Sequence, residues 1–438
     1  MTRTRRWITG AAAAVVVLLA GLALLAHLLL PNDQAFATEI ATRFEKASGI
    51  GLRVGAAHWA LRPTPVVLLD DVATAQEPPI TVRRIVARPQ LAGLLRRRVA
   101  VDVVEIDGAV LPRTSVRAFR GRWQGDDPAA SVLAGAWSLA DVPVARLRLR
   151  DITWIDRRGI ALAYDADIAF DAHWRPREAE VSRPGVAPPA RLRLEREGGE
   201  DRWRTLIDVG GGTWNGESEL QAPDGGPLRF TARLEPKNVD IDALVRSFGR
   251  HSAVEGKLSG QTSVDTEGEN LSALIGKLHT RTRFTVAPAT LDGFDLSKAI
   301  STAGFSRGGR TPLEQLSGTL DTQASDDGVV LRYTGLRARS GVLTASGSAT
   351  VVNRRLDGEA AIDIVDGVVG VPLKLGGTLD APQLSLTSGA LTGAAVGSAV
   401  LPGVGTAIGA RIGQQMEKMF GGGDAKKPGR PASSAKPR

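Results

Sequence analysis

The chain has 438 residues, which exceeds the usual size of a single compact core, so we expect either several domains or a repetitive architecture. It contains no cysteine, which excludes disulfide bonds, thiolate metal sites and cysteine nucleophiles. The net charge of +8 comes largely from the two ends of the chain, and the body shows no basic helix with stacking aromatic residues, so nucleic acid is not an expected partner.

An apolar stretch near the N-terminus predicts a membrane anchor. Residues 7–30 read WITGAAAAVVVLLAGLALLAHLLL without a charged side chain, and a transmembrane helix needs roughly 20 such residues. Basic residues at 3–6 precede the stretch, which predicts a cytoplasmic N-terminus and an exported body. A cleaved signal peptide is the alternative, because Ala-Phe-Ala at 35–37 offers a cleavage pattern, but its apolar region would be unusually long.

The body begins with a predicted helix and continues as predicted strands. Phe36, Ile40 and Phe44 are spaced four apart, which predicts an amphipathic helix over 33–48. After this helix the apolar period changes to two. In residues 160–174 every even position is apolar, whereas the odd positions include three aspartates. This pattern predicts a strand that is buried on one face only.

The same alternation recurs at 228–235, 358–364 and 371–375, and Gly-rich turns separate the segments. This arrangement is typical of an antiparallel meander. The apolar side chains of these strands form a predicted apolar wall, the candidate site for contact with lipid. Its members are Ile160, Leu162, Tyr164, Ile168, Phe170, Trp174, Leu228, Phe230, Leu234, Ile362, Ile364, Leu373 and Leu375.

Two further patterns predict how the sheet is built. The apolar parity shifts at 99–106 and between Leu149 and Ile152, which indicates β-bulges that bend the sheet. A loose repeat of the form L-x-G-x begins at residues 258, 316, 356 and 375. Strands that repeat in this way can stack into one elongated sheet, which accounts for the length without several globular cores.

The sequence predicts neither catalysis nor a cofactor. The five histidines are widely separated, and none has a second ligand at metal-binding spacing. The segment GFSRG at 304–308 matches the G-x-S-x-G pattern, but the sequence before Ser306 looks helical, whereas that motif requires a strand there. We therefore expect a protein that is not an enzyme. A hydrolase that uses Ser306 is the alternative, which a Ser306→Ala variant would test.

Several segments resemble a known family. GIGLRVGAAHWALRPTPVVLLDDVATA at 49–75 and ITVRRIVARPQLAGLLRRRVAVDVVEIDGAVL at 80–111 are similar to the N-terminal region of AsmA-like envelope proteins. The family's C-terminal region resembles four later segments, namely VEGKLSG, NLSALIGKLHTRTRFTVAPATLDGFDLSKAI, LEQLSGTL and VPLKLGGTLDAPQLSL. Residues 112–250 resemble the family only in the rhythm of their strands.

The resemblance implies a bent sheet that forms an open groove, polar outside and apolar inside, anchored in the bacterial inner membrane and projecting into the periplasm. Longer relatives are regarded as bridges that carry phospholipid toward the outer membrane, and AsmA-like proteins are also linked to outer-membrane protein assembly. Two functions stay open: a groove that binds or conducts phospholipid, or a periplasmic scaffold that uses strand edges to help outer-membrane proteins assemble. The alternative is that the same apolar residues form the core between two packed sheets and contact no lipid.

The C-terminal segment 389–413 places glycine at every fourth position on either side of Pro402. Such spacing lines one helix face with glycine, and two such faces can approach closely. We expect a helical hairpin over 389–420 that caps the groove or contacts a membrane, with a Gly-rich coil as the alternative. The predicted contact residues are Gly389, Gly393, Gly397, Gly405, Gly409 and Gly413.

The expected fold is mainly β: an elongated, twisted antiparallel sheet curved into an open groove, with a transmembrane helix, a short helix after it and a C-terminal helical hairpin. The predicted segments are a cytoplasmic tip (1–6), the anchor (7–30), an AsmA-like N-terminal region (31–111), a central β region (112–250), an AsmA-like C-terminal β region (251–388), the hairpin (389–420) and a disordered basic tail (421–438).

Overall fold

The computed structural model of the chain describes most residues between Asp33 and Thr387. The described ranges are 33–60, 64–90, 92–93, 96, 98–119, 138–171, 175–221, 226–269, 271–293, 308–325, 328–341, 343–364, 367–379 and 381–387. The predicted anchor at 7–30, Trp174, Ser306 and the glycine-rich segment at 389–420 with its tail lie outside the described residues. Within the described ranges, no helix is both long and apolar enough to cross a bilayer.

The described part is mainly β, as the alternating sequence predicts, with 68% of its residues in strands. The strands are β1 (Leu52–Ala60), β2 (Val66–Thr74), β3 (Thr81–Pro89), β4 (Arg98–Pro112), β5 (Ser138–Ile155), β6 (Ala161–Phe170), β7 (Pro176–Ser182), β8 (Arg191–Arg196), β9 (Arg202–Val209), β10 (Gly212–Gln221), β11 (Leu228–Lys237), β12 (Val239–Asp240), β13 (Val254–Gly268), β14 (His279–Asp292), β15 (Arg310–Leu313), β16 (Gln315–Ser325), β17 (Gly328–Ser340), β18 (Leu343–Val352), β19 (Arg355–Ile364), β20 (Gly367–Thr378) and β21 (Ala381–Leu386). The described helices are α1 (Asp33–Ser48), α2 (Arg113–Arg117), α3 (Ile241–Arg246) and α4 (Leu271–Gly276).

The chain divides into two compact units. The first comprises Met1–Ala289 with Thr319–Arg332, and the second comprises Thr290–Gly318 with Tyr333–Arg438. In the second unit, β18 to β21 pair with one another in chain order, and all of these pairs are antiparallel.

In the first unit, β1 to β11 pair in chain order, and both β11 and β12 pair with β13 in an open sheet. These pairs are antiparallel except for β4 and β5, which run parallel. The parallel pair differs from the simple meander that the turn residues predict. Parallel neighbours require a crossover connection, and α2, which directly follows β4, is the part of that connection that the structure describes.

Register shifts occur at both places where the apolar parity changes, which confirms the predicted bulges. The ladder between β3 and β4 skips Asp102. The ladder between β5 and β6 is interrupted between Leu149 and Ile152, where Asp151 has a positive φ of 53°. Because each bulge inserts an extra residue, the apolar side chains before and after it stay on the same face of the sheet.

Helix α1 has the predicted bounds and covers one face of the first strands. Phe36, Ile40 and Phe44 are exposed by only 0%, 0% and 3%. They lie in one core cluster with apolar residues of β1 to β5, including Leu69 and Val104. The spacing of four residues therefore places these side chains in a single apolar stripe that faces the sheet, as in other amphipathic helices.

Two glycines of the L-x-G-x repeat lie where neighbouring backbones approach too closely for a side chain. A Cβ atom on Gly260 of β13 would overlap the carbonyl oxygen of Arg283 on β14. Within the second unit, a Cβ atom on Gly358 of β19 would overlap the carbonyl oxygen of Ser348 on β18. Glycines at such positions allow a sheet to bend sharply, so we infer that Gly260 and Gly358 mark bends.

The variant Ile40→Ala should lower the free energy of unfolding by about 2–5 kcal/mol, because it removes a fully buried side chain and leaves a cavity. The matched control is Thr38→Ala on the exposed side of the same helix, for which a change within about 0.5 kcal/mol is expected. Chemical denaturation of the full chain, followed by circular dichroism, measures both. Equal effects of the two variants would contradict the assignment of α1 to the core.

The variant Gly260→Ala should destabilise the first unit by about 1–3 kcal/mol or more, because its Cβ atom would overlap the backbone of β14. Gly276→Ala is the control, since the space around Gly276 is open. Thermal unfolding compares the two variants. If Gly260→Ala is as stable as Gly276→Ala, the close approach of the two strands is wrong.

Candidate functional site

The pairing register places two rows of uncharged side chains across the sheet of the first unit, one residue from each strand. The first row consists of Trp59, Val67, Ala87, Val104, Leu147, Ile168, Ala179, Leu194, Thr205, Gly216, Leu234 and Thr262. The second consists of Ala57, Leu69, Ile85, Ile106, Leu149, Ala166, Val181, Leu192 and Ile207. The surface that carries both rows is termed the inner face.

Burial along the inner face changes from strand to strand. Beside α1, Val67, Ala87 and Val104 are exposed by 5%, 2% and 0%. Further along the same rows the side chains are equally apolar, but most are only half-buried. This half-exposed part is termed the β5–β8 wall, and it comprises Leu147, Leu149, Ile168, Ala179, Val181, Leu192 and Leu194.

The opposite face of the same strands carries paired charges. Arg146 lies 2.5 Å from Asp167, and Arg148 lies 3.1 Å from Glu105 and 3.5 Å from Asp167. Such partly exposed ion pairs add little to stability. They do keep this face in contact with water, so the two faces of β5 and β6 differ sharply in polarity.

Part of the predicted wall lies on the inner face of the first unit. Ile168 and Leu234 belong to the same row, although five strand spacings of about 4.8 Å, or about 24 Å, separate β6 from β11. Leu228 is exposed by only 4%, so it is a core residue. The remaining described members in this unit are half-buried, namely Ile160, Leu162, Tyr164, Phe170 and Phe230.

The other predicted wall residues lie in the second unit. Ile362 of β19 and Leu373 of β20 are exposed by only 2% and 1%, so they are packed too tightly to contact a ligand. Leu375 is half-buried, and Ile364 pairs with Gly367 at the end of β19. The structure therefore does not combine all the predicted residues into one site, and the candidate site is confined to the first unit.

Sequence reasoning missed the centre of the β5–β8 wall. Leu192 and Leu194 belong to β8, which has only six residues, and Leu147 and Leu149 precede the bulge in β5. Both segments contain the alternating sequence Arg-Leu-Arg-Leu. This alternation could be seen in the sequence, but each Arg-Leu-Arg-Leu run is short. Only the pairing register shows that the leucines of both runs lie in the same rows.

Beyond β8 the inner face carries paired hydroxyl groups. Thr205 Oγ1 lies 2.8 Å from Ser218 Oγ, and Thr262 Oγ1 lies 2.9 Å from Thr282 Oγ1. The indole N–H of Trp214 donates to Thr262 Oγ1 at 3.2 Å. Because these buried groups satisfy one another, this region requires no polar ligand.

A segment at 239–250, which includes α3, covers one end of the inner face. Val239 is fully buried and packs against Val209. Further along, Gly249 lies against Ile160, such that a Cβ atom on the glycine would be 3.2 Å from Ile160 Cγ2. This segment is termed the end cap.

Asp156 fixes the end cap to the turn between β5 and β6. One of its oxygens accepts a hydrogen bond from Arg250 at 3.1 Å, and the other accepts the backbone N–H groups of Arg158 and Ile160 at 2.7 and 3.0 Å. Burial opposes ionisation of Asp156, but these N–H donors and the charge of Arg250 outweigh it and hold the pKa of Asp156 below its usual value.

Two arginines extend from the strands over opposite ends of the inner face, and the first is neutralised by carboxylates. The side chain of Arg196, at the end of β8, is exposed by only 2% and pairs with Asp171 and Asp201. Its guanidinium also donates to the carbonyl of Glu200 at 2.7 Å and lies 5.8 Å from the ring centroid of Trp203. This end of the face is therefore electrostatically balanced.

Arg183, one residue after β7, has different surroundings. Its Nε donates to the carbonyl of Ala163 at 3.1 Å. The guanidinium carbon lies 5.1 Å from the ring centroid of Tyr164 and 5.8 Å from that of Phe248 in the end cap. Among the described residues, no carboxylate lies within ion-pair distance of Arg183. Its charge therefore lies between two rings without a counter-ion from the described part of the chain.

A groove of about 600 Å³ lies over β10, β11, β13 and β14. It is lined mainly by polar and charged side chains of the opposite face, such as Arg233, Glu217 and Arg283. Lys237 within it pairs with Glu235 at 3.2 Å. The mixture of both signs of charge does not define one ligand, so we assign no function to this groove.

The described residues include no group of histidine, aspartate and glutamate side chains arranged to hold a metal ion. His58 lies 2.7 Å from Asp33, and His279 lies 3.5 Å from Asp321, each as part of a partly exposed pair. The chemistry of the candidate site is therefore that of an apolar surface with an arginine at either end.

Comparison of the chain with protein-family models, with characterised proteins and with solved structures finds no match. The resemblance to AsmA-like proteins therefore depends on the sequence segments alone, and the function is argued from the geometry of the inner face.

The variant Asp156→Asn should lower the free energy of unfolding by about 1–3 kcal/mol at pH 7, because it weakens charge-assisted hydrogen bonds. A carboxylate with a lowered pKa stabilises the folded state above its unfolded pKa, near 3.8, and loses this effect as the pH falls through the lowered folded value. The difference between wild type and variant should therefore shrink below pH 3.8. Urea denaturation at several pH values measures it.

Glu200→Gln is the control for this prediction, because the side chain of Glu200 is exposed by 76%. Its effect should be within about 0.5 kcal/mol at every pH. A pH-independent effect of Asp156→Asn would show that shape, rather than charge, fixes the end cap.

Proposed function

We propose that this protein is a non-enzymatic envelope-biogenesis protein that binds phospholipid through its inner face and conducts it between the inner and outer membranes. The observation that carries the proposal is the pair of uncharged rows, which continue from strand to strand and, from β5 to β8, consist of half-buried side chains except for the buried Ala166. In a soluble domain, an extended apolar surface of this kind usually binds something.

The dimensions of the β5–β8 wall suit an acyl chain. The eight residues from 176 to 183 rise about 23 Å at about 3.3 Å per residue. One acyl chain spans about 15 Å, half of the roughly 30 Å hydrocarbon core of a bilayer. Each methylene group that leaves water contributes about 0.8 kcal/mol, so contact with roughly ten of them is sufficient for stable binding.

The rows also provide a path. They run across the strands, so a chain that slides from β5 toward β8 meets Leu147, Ile168 and Leu194 in turn without passing a charged side chain. Burying an unpaired charge against an acyl chain would be costly, and the charged residues that flank Leu147 and Ile168 in sequence, such as Arg146, Arg148 and Asp167, lie on the other face. Movement along the row therefore replaces one apolar contact by another.

The proposed location follows from the N-terminal sequence and from the resemblance to AsmA-like proteins. The stretch at 7–30 anchors the chain in the inner membrane with its N-terminus in the cytoplasm, and the sheet lies in the periplasm. In this arrangement the inner face begins near the membrane that supplies the lipid, because α1 follows the anchor directly in sequence.

Full-length protein extracted in a mild detergent should retain phospholipid in roughly stoichiometric amount, detected by mass spectrometry of the extracted lipids. The variant Ile168→Glu should lose most of this lipid, because it places a charge in the centre of the β5–β8 wall. Its matched control is Ala169→Glu, the next residue on β6, which faces the charged side and pairs with Arg146. Wild-type protein without any lipid would overturn the proposal.

A second measurement does not depend on the stability of Ile168→Glu. A photoreactive amino acid at Leu194 should form adducts with phospholipid, whereas the same amino acid at Arg193 should not, because the two residues lie on opposite faces of β8. Equal adducts at both positions would show that lipid contacts the sheet without using the inner face.

A further inference from the structure

One nitrogen of Arg183, Nη1, is buried and has no hydrogen-bond partner. Arg193 Nε, on the opposite face, shares this property, but the guanidinium of Arg193 lies 3.6 Å from Asp208, whereas no carboxylate of the described residues lies beside Arg183. A buried charged donor without a partner is rare and calls for an explanation, such as an ion or ligand that binds there. The rings of Tyr164 and Phe248 attract the guanidinium, but they replace only part of the hydration that it has lost. The two carboxylates around Arg196 show how the same chain neutralises an inward guanidinium elsewhere.

Arg183 lies at the boundary between the end cap and the β5–β8 wall. It directly follows β7, whose residue Val181 belongs to the wall. Phe248, on the other side, is exposed by 41%. A rotation of the Phe248 side chain away from the sheet therefore uncovers the guanidinium next to the apolar surface.

We propose that Arg183 binds the phosphate of an anionic lipid whose acyl chains lie on the β5–β8 wall, with Phe248 moving aside as the phosphate arrives. This inference rests on the proposed function, because it assigns an orientation to the lipid on that same wall. A planar guanidinium offers a phosphate two parallel N–H groups. Free inorganic phosphate shares this headgroup chemistry but lacks the chains, so the two ligands must be distinguished by experiment.

The test compares phosphatidic acid with diacylglycerol of identical acyl chains, since the two differ only by the phosphate. Binding of each to the full-length protein is measured in an uncharged detergent by native mass spectrometry. Wild-type protein should bind phosphatidic acid about tenfold more tightly, as one charge-assisted interaction predicts. Arg183→Gln should bring this ratio close to one and leave the binding of diacylglycerol unchanged.

Arg191→Gln is the matched control, because it makes the same change of charge on the opposite face of the neighbouring strand, where Arg191 is exposed and pairs with Glu180 at 3.0 Å. It should preserve the tenfold ratio. Inorganic phosphate at the same concentration as the lipid should not displace phosphatidic acid. Displacement would overturn the inference, because it would show an anion site that does not need the acyl chains.

The outcomes separate the inference from the function on which it rests. If wild-type protein binds neither lipid, the proposed function fails and the inference fails with it. If both lipids bind equally, or if Arg183→Gln keeps the preference for phosphatidic acid, only the inference is overturned. Should Arg183→Gln fail to fold, Phe248→Ala serves instead: an increased preference for phosphatidic acid supports the inference, and an unchanged or reduced one contradicts it.

Discussion

Cross-strand register is the constraint on which the whole inner face depends. Side chains alternate between the two faces of a strand, so a slip of one residue would exchange the apolar and charged sides of that strand. The bulges at Asp102 and Asp151 show how the chain maintains the register. Each absorbs an extra residue, and the first row continues without interruption through Val104, Leu147 and Ile168.

The covering elements decide which part of this face is core and which part is surface. Val104 is fully buried, whereas its neighbour in the same row, Leu147, is half-buried, although both are aliphatic. Helix α1 covers the first strands, and the end cap closes one end of the face near Tyr164. The composition of a strand therefore cannot distinguish a core residue from a residue of the β5–β8 wall, because the difference lies in a distant segment of the chain.

Local features of the fold could be predicted from the sequence, and non-local ones could not. The helix over 33–48 and the two bulges depend on the spacing of residues that are close in sequence, so the sequence pattern predicts them. The parallel pairing of β4 with β5 depends on a long connection that carries no comparable signal. Arg183 was also missed, since it lies outside β7 and its ring partners Tyr164 and Phe248 come from distant parts of the sequence.

The row architecture also determines how such a sheet can change in length. Every row takes one residue from each strand, so removing a complete hairpin such as β7 with β8 would join Ile168 of β6 to Thr205 of β9 and leave the row uncharged. Removing a single residue from one of those strands would instead exchange its two faces and place charged side chains in the row. The inner face is therefore lengthened or shortened in steps of two strands, or about 10 Å. Its length across the strands depends on how many hairpins the sheet contains.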